Sequence, residues 1–308
     1  MATVPDIDIC LCTFQRAHVV ETLRSLARLT LKPDRTIRII VADNDDTPSA
    51  KERVEATARD CSLPLTYLHA PARNISVARN ACLNAAIAPL VAFIDDDEIA
   101  SAAWLEALVT VLDRDNCDAV LGPVQALFTQ DCPAWARTGD FHSTRPVRID
   151  GKIMTGYAGN VLFRRYTPAL KDRRFHFELG RSGGEDTVFF SEVYRAGGRI
   201  GYAPDAIVTE TITTDRSRLS WLLKRRFRSG QIHGTLLSED TKASFWARGK
   251  EIGLAFSKLV ACFLAMLATF PWRNRCLSWM LRGSLHAGVV FRLSGVREIE
   301  LYGQERNT

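Results

Sequence analysis

The chain has 308 residues, 46% apolar and 24% charged, the composition of a globular protein long enough to bury a large core. Its net charge of +5 hides two parts of opposite sign: residues 1–215 carry 24 Lys and Arg against 29 Asp and Glu, and residues 216–308 carry 16 against 6. A basic and apolar last third points to an anionic membrane surface and away from nucleic acid, for which no recognisable module is present. The eight cysteines follow no zinc or disulfide spacing, and the N-terminal MATVPDIDIC lacks the basic-then-apolar order of a signal peptide, so a reducing cytoplasm is expected.

Residues 7–13 read as a first strand, with Cys10 and Cys12 as small buried residues on one of its faces, and 14–18 as the turn after it. Apolar spacing predicts a helix over 19–31, a buried strand over 36–42 closed by Asp43-Asn44-Asp45-Asp46, a helix over 48–61 and a strand over 65–69. Asn74 is a suitable cap for a helix over 74–86. The apolar run Leu90–Ile94, in a strand expected to end at Asp95, then stops abruptly at three carboxylates, Asp95, Asp96 and Asp97. Adjacent aspartates repel one another, and a chain tolerates them where they are solvated or where a cation sits among them. At the carboxyl end of a strand in an open α/β sheet they lie where such sheets bind ligands; the plainer alternative is a solvated turn ahead of a helix over 102–112. A strand over 119–128 follows.

This alternation predicts an α/β fold with a mostly parallel sheet flanked by helices, and puts Asp43 on the same rim as Asp95–Asp97. No G-x-G-x-x-G follows the first strand, which argues against a dinucleotide fold of the usual kind. Residues 129–181 are irregular. In RSGGEDTVFF, two glycines precede Glu185 and Asp186 at the start of a helix running to about 196. These acids either complement the helix N-terminus or supply a general base at the lip of a cleft. A late strand is expected over 201–210 and a basic amphipathic helix over 219–231, with Trp221, Lys224, Arg225 and Arg228 on one face. Residues 252–270 are apolar except for Ser257, Lys258 and Thr269, and basic residues flank both ends. With 277–291 they read as a helical pair lying in or against the cytoplasmic leaflet, with a buried hairpin as the alternative.

CTFQR after the first strand, ADND after the second, Ala78-Arg79-Asn80 on a helix, DDD, TGYAGN, GGED and the basic RRFR, in that order over roughly residues 5–230, resemble the family 2 inverting glycosyltransferases. Among those the chain looks like the bacterial succinoglycan-type and other exopolysaccharide enzymes. The resemblance implies a nucleotide-sugar-binding GT-A domain over 1–215; it does not cover the last 70-odd residues, and the helical, membrane-associating appendage expected over 216–308 rests on their basic and apolar composition. It implies that Thr13 and Arg16 lie beside the nucleotide, that Asp43 accepts a hydrogen bond from a uracil ring, and that Arg79 reaches the nucleotide. Asp95 would face the ribose and share the metal with Asp97, and Asp96 would support both. Asn160, after Gly159, would shape the donor-sugar or acceptor side, and Arg225 and Arg228 would approach the diphosphate. Asp186, with Glu185 as its competitor, would deprotonate the acceptor hydroxyl. The implied cofactor is Mg²⁺ or Mn²⁺, the donor a UDP-sugar with UDP-glucose as the first choice, and the acceptor a lipid-linked saccharide at the inner face of the cell membrane. The sequence departs from the family where Arg225 replaces a Gln and Ser229 a Trp, and where Asp45-Asp46 stand in place of small residues. A sugar-phosphate nucleotidyltransferase and a non-catalytic membrane-associated scaffold are the competing readings. The lack of glycine in CTFQR counts against the first, and the intact carboxylate set against the second.

Overall fold

The structure is a computed structural model that describes residues 4–240 and 245–299; the outer ends of the expected two-part division lie outside these residues. In chain order the elements are β1 (Ile7–Thr13), α1 (Val19–Leu26), β2 (Ile37–Asp43), α2 (Lys51–Asp60), β3 (Leu65–His69), α3 (Ile75–Ala85), β4 (Leu90–Asp95) and β5 (Glu98–Ala100). There follow α4 (Trp104–Arg114), β6 (Ala119–Leu121), β7 (Val124–Phe128), α5 (Ala134–Gly139), the short pair β8 (Arg148–Ile149) and β9 (Lys152–Ile153), and β10 (Asn160–Arg164). The last elements are α6 (Glu185–Arg195), β11 (Ile200–Tyr202), β12 (Val208–Ile212), α7 (Leu219–Asp240), α8 (Phe245–Ala268) and α9 (Arg273–Leu293).

The chain divides into two compact units, one holding residues 4–125 and 143–210, the other 126–142 and 211–299. In the first, seven strands form one sheet in the order β11-β6-β10-β4-β1-β2-β3. All its pairings are parallel except those of β10, which runs antiparallel between β4 and β6. Every residue of β1 is buried, as a strand covered on both faces requires. Ile7, Ile9 and Leu11 pack on one side with α1 and α4, while Cys10 and Cys12 pack on the other with Ile40, Phe93 and α3. Asp8, the one charged residue in this run, is fully buried and accepts hydrogen bonds from Arg38 and from the Ile87 and Ala88 amides, which removes the cost of an unpaired buried carboxylate.

Three expected elements change shape. The predicted helix over 19–31 stops at Leu26, and Thr30 then donates its amide to Ala102. The predicted strand over 119–128 is two strands broken at Gly122-Pro123, and that over 201–210 is two broken around Pro204, since proline has no amide to continue a ladder. The expected break at 215/216 falls five residues beyond the observed one, and residues 126–142 belong with the C-terminal helices. There Phe141 and Trp135 pack with Leu222, Leu277 and Leu281. In this unit α8 packs on α9 through Ala255 and Cys262, while Phe256, Val260, Phe263, Leu264 and Leu267 are exposed. It is 24 residues long with a mean hydropathy of 1.8 over its most apolar window, long and apolar enough to cross a membrane by length and composition only.

Candidate active site

Strand register builds the rim. Thr13 at the end of β1 pairs with Asp43 at the end of β2, and Cys12 pairs with Asp95 at the end of β4. Three parallel strands thus deliver their terminal polar residues to one edge of the sheet, where open α/β folds bind ligands. The turn after β1 folds back over this edge through Gln15, whose left-handed φ of 52° reverses the chain. Arg16 then donates from one Nη1 to Asp96 at 2.6 Å and lies 2.7 Å from Asp97. Thr13 donates to the other Asp96 oxygen at 2.8 Å. Burial pushes the Asp96 carboxyl up to about 6, with Asp97 and Asp95 adding to the shift and Arg16 and Thr13 opposing it.

On the other side of Asp95 stands Arg79, brought in by α3 and only 7% exposed at its side chain. It pairs with Glu185, reaches Asp95 Oδ1 at 3.4 Å, and lies 5.5 Å from the Phe175 ring centre. Burial disfavours its charge, but Glu185, Asp95 and Asp186 more than offset this and hold its pKa above the usual arginine value. One guanidinium therefore ties the end of β4 to the start of α6. The approach to α6 is positioned by α3: Asn80 exchanges two hydrogen bonds with the Phe175 backbone, Ser76 donates to the His176 carbonyl, and Asn74 donates to that of Phe177. Asn74 also caps α3 as expected, accepting from the Ser76 and Val77 amides. Gly183 and Gly184, at φ of 81° and 91°, then make the left-handed entry to α6. Glu185 is buried against Arg79. Asp186 is half-buried, accepting from Thr187 through one oxygen and from the Ala158 amide at 3.3 Å through the other.

The structure corrects two of the expected contacts. Asp43 is fully buried, and its carboxylate accepts hydrogen bonds from Tyr67 at 2.7 Å and from the Ala50 and Asp45 amides. It shapes its own turn and has no exposed surface for a nucleotide base. Asn160 is likewise fully buried. Its oxygen accepts from Trp104, and its amide hydrogens go to the Pro123 and Ala206 carbonyls, so it locks β10 into the core and faces no ligand. Sequence reasoning missed Glu98, the fourth acid of DDDE, which is 3% exposed and accepts the Asp95 amide at 3.1 Å. Burial raises its pKa well above the carboxylate range, and Asp95 and Asp97 reinforce this. Its position directly after three other acids was the available signal.

Arg225 and Arg228 lie on α7, in the second unit. There Arg216 and Arg225 stand 5.2 and 5.4 Å from the Trp221 ring centre, and His142 stacks on the same indole at 5.6 Å.

Asp95, with a side chain 43% exposed, and Asp97, 18% exposed, are hard oxygen donors at the open edge. No group of three or more His, Cys, Asp or Glu forms a closed metal site among the described residues. One or two carboxylates on an open rim fit Mg²⁺ or Mn²⁺, whose remaining positions water or phosphate can fill.

Residues 8–167 match the family described as glycosyl transferase family 2. Over 302 residues the chain is 46% identical to the succinoglycan biosynthesis protein ExoM of Rhizobium meliloti (strain 1021), covering 98% of this chain and 97% of that protein. Among solved structures it resembles the mannosyltransferase PcManGT from Pyrobaculum calidifontis in complex with GDP-Man and Mn²⁺, with a TM-score of 0.64 at 17% identity over 94% of this chain and 88% of that one. It also resembles residues 1–349 of S. aureus TarS in complex with UDP-GlcNAc, with a TM-score of 0.54 at 16% identity over 94% and 92% of the two chains.

Proposed function

The chain belongs to glycosyl transferase family 2, and on that footing we propose that it transfers a hexose, with inversion, from a UDP-sugar to a lipid-linked saccharide in the assembly of a succinoglycan-type cell-surface polysaccharide. UDP-glucose is the first donor to test. The observation that carries this reading is Arg79, which joins the Asp95–Asp97 rim to the start of α6, so that donor-binding acids and a candidate base share one edge. Asp95 and Asp97 would hold a divalent cation; when bound, it supplies charge neutralisation of the donor's diphosphate. Thr13 and Asp96 hold the rim, and Arg16 lies within reach of the donor.

Asp186 Oδ2 takes the proton from the acceptor hydroxyl as that oxygen attacks the anomeric carbon on the face opposite the leaving group. The bond to the diphosphate oxygen breaks and its electron pair leaves with the nucleotide, which inverts the anomeric centre. Glu185 is a poorer base because its carboxylate is committed to Arg79 inside the protein; it and Arg79 position the start of α6. Asp97→Ala abolishes Mn²⁺-dependent UDP binding and transfer, while Asp186→Asn keeps UDP binding and loses transfer by about 10²–10⁴-fold. Normal turnover in both variants refutes the assignment.

The exposed apolar side of α8, with Arg248 and Lys250 in the first turns of that helix and Arg273 and Arg275 after it, supports docking on an anionic cytoplasmic leaflet, where a lipid-linked acceptor would be met.

A further inference from the structure

Two arginines hold the acidic rim, and they differ in kind. Arg79 is buried, with its carboxylate partner Glu185 buried beside it. The Arg16 side chain is 32% exposed and makes two contacts that differ in the same way: Asp96 is 7% exposed at its side chain, Asp97 18%. Asp96 is also fixed from behind by Thr13. Arg16 therefore has a more buried contact and a more exposed one, and the more exposed one is made to Asp97, one of the two carboxylates read above as cation donors.

A divalent cation sits about 2.0–2.2 Å from a carboxylate oxygen. Asp97 Oδ2 already has a guanidinium nitrogen 2.7 Å away. A dication arriving alone would crowd against that positive charge. A diphosphate arriving with it changes the balance, because its oxygens suit the planar donor fork of an arginine and its negative charge screens the two cations from each other.

We propose that Arg16 is an exchangeable counter-ion: without substrate it neutralises Asp97, and it passes to the donor's diphosphate as a divalent cation takes Asp97, so that cation and nucleotide bind as a coupled pair. Asp96 is the pivot that keeps the guanidinium at the rim through the exchange. This rests on the donor reading given above. The coupling is reciprocal, each ligand tightening the other by the same factor.

The test measures free Mn²⁺ by electron paramagnetic resonance with the full chain, with and without UDP. In the wild-type chain UDP tightens Mn²⁺ binding at least tenfold, about 1.4 kcal/mol. In Arg16→Gln, Mn²⁺ alone binds at least threefold tighter than in the wild type, and the gain from UDP falls below threefold. Arg16→Lys, which keeps the positive charge, stays close to the wild type for Mn²⁺ alone. Arg16→Gln binding Mn²⁺ no tighter than the wild type, or keeping the full UDP effect, overturns the exchange. A wild-type chain that binds both ligands without coupling also overturns it, and that measurement needs no folded variant. If the wild-type chain binds neither Mn²⁺ nor UDP, the donor reading falls as well; if it binds both and only the Arg16→Gln prediction fails, the donor reading stands.

Discussion

Replacing Arg79 with methionine keeps a long, flexible side chain against Phe175 but removes the counter-charge from Glu185. The side chains of Arg79 and Glu185 are 7% and 5% exposed, so water cannot replace the lost partner. Removing one member of a buried ion pair costs about 3–5 kcal/mol, because the other charge stays behind uncompensated. Asp95 adds little to this figure, since its contact is at 3.4 Å and its side chain is 43% exposed. Glu185→Gln alone leaves Arg79 with Asp95 as a remaining partner and should cost less, about 1–3 kcal/mol. In the double variant no charge is stranded, so its loss should fall below the sum of the singles by about 2–3 kcal/mol. Urea unfolding at neutral pH, followed by tryptophan fluorescence, measures all four species of the cycle. An Arg79→Met loss under about 1 kcal/mol, or a double variant equal to the sum of the singles, would show that this pair does not hold the β4 end to α6.

Gly180→Ala places a methyl group where Asn74 Oδ1 and the Ser76 hydroxyl already sit, and overpacking plus a disturbed cap should cost about 2–4 kcal/mol, read as a lower unfolding midpoint together with a lower kcat. His142 is 1% exposed and donates through Nε2 to the Arg216 carbonyl, while its Nδ1 has no hydrogen-bond partner. Burial, with Arg225, Arg216 and Arg226 adding to it, lowers its pKa to about 4. Between pH 6.5 and 4 the unfolded chain takes up a proton that the folded chain refuses, so stability falls with pH by up to about 3 kcal/mol. His142→Gln should flatten this part of the stability profile, measured by urea unfolding at stepped pH. Phe263→Glu with Leu267→Glu should abolish flotation with phosphatidylglycerol vesicles and leave UDP binding intact, and unchanged flotation would remove α8 from the membrane contact.

The parallel strands were legible because burial on both faces leaves an uninterrupted apolar run. β1, β3 and β4 have the bounds that their composition predicts, and the acids appear where those runs stop. Asn74 was legible as a cap for a similar reason, since its chemistry acts within three residues. What the sequence concealed depends on distant partners. Arg79 and Glu185 are 106 positions apart. β10 enters the sheet antiparallel between β4 and β6, and residues 126–142 join helices that begin nearly eighty positions later. Residue type also does not say which carboxylates a turn keeps for itself. The family resemblance made Asp43 a ligand contact, but Tyr67 on the neighbouring strand and the Ala50 and Asp45 amides already occupy its carboxylate.

The charges on the rim bear on how an acidic edge could receive a donor that is itself an anion. Six carboxylates gather there: Asp95, Asp96, Asp97, Glu98, Glu185 and Asp186. Burial biases Glu98 toward its neutral form, and the other five carboxylates still outnumber the two guanidiniums, of Arg16 and Arg79, at this rim. A diphosphate meets that excess with its own negative charge, and each like-charged pair at about 4 Å costs up to about 4 kcal/mol near a protein surface. On the proposed exchange Arg16 alone cannot offset this, because the contact it would make with phosphate is taken from a carboxylate of the rim. On the proposed reading the rim would attract a nucleotide only when a cation joins it. The carboxylates that look like an obstacle to the donor are then what recruits the cation, and the proposed metal requirement follows from the surplus of acid over arginine.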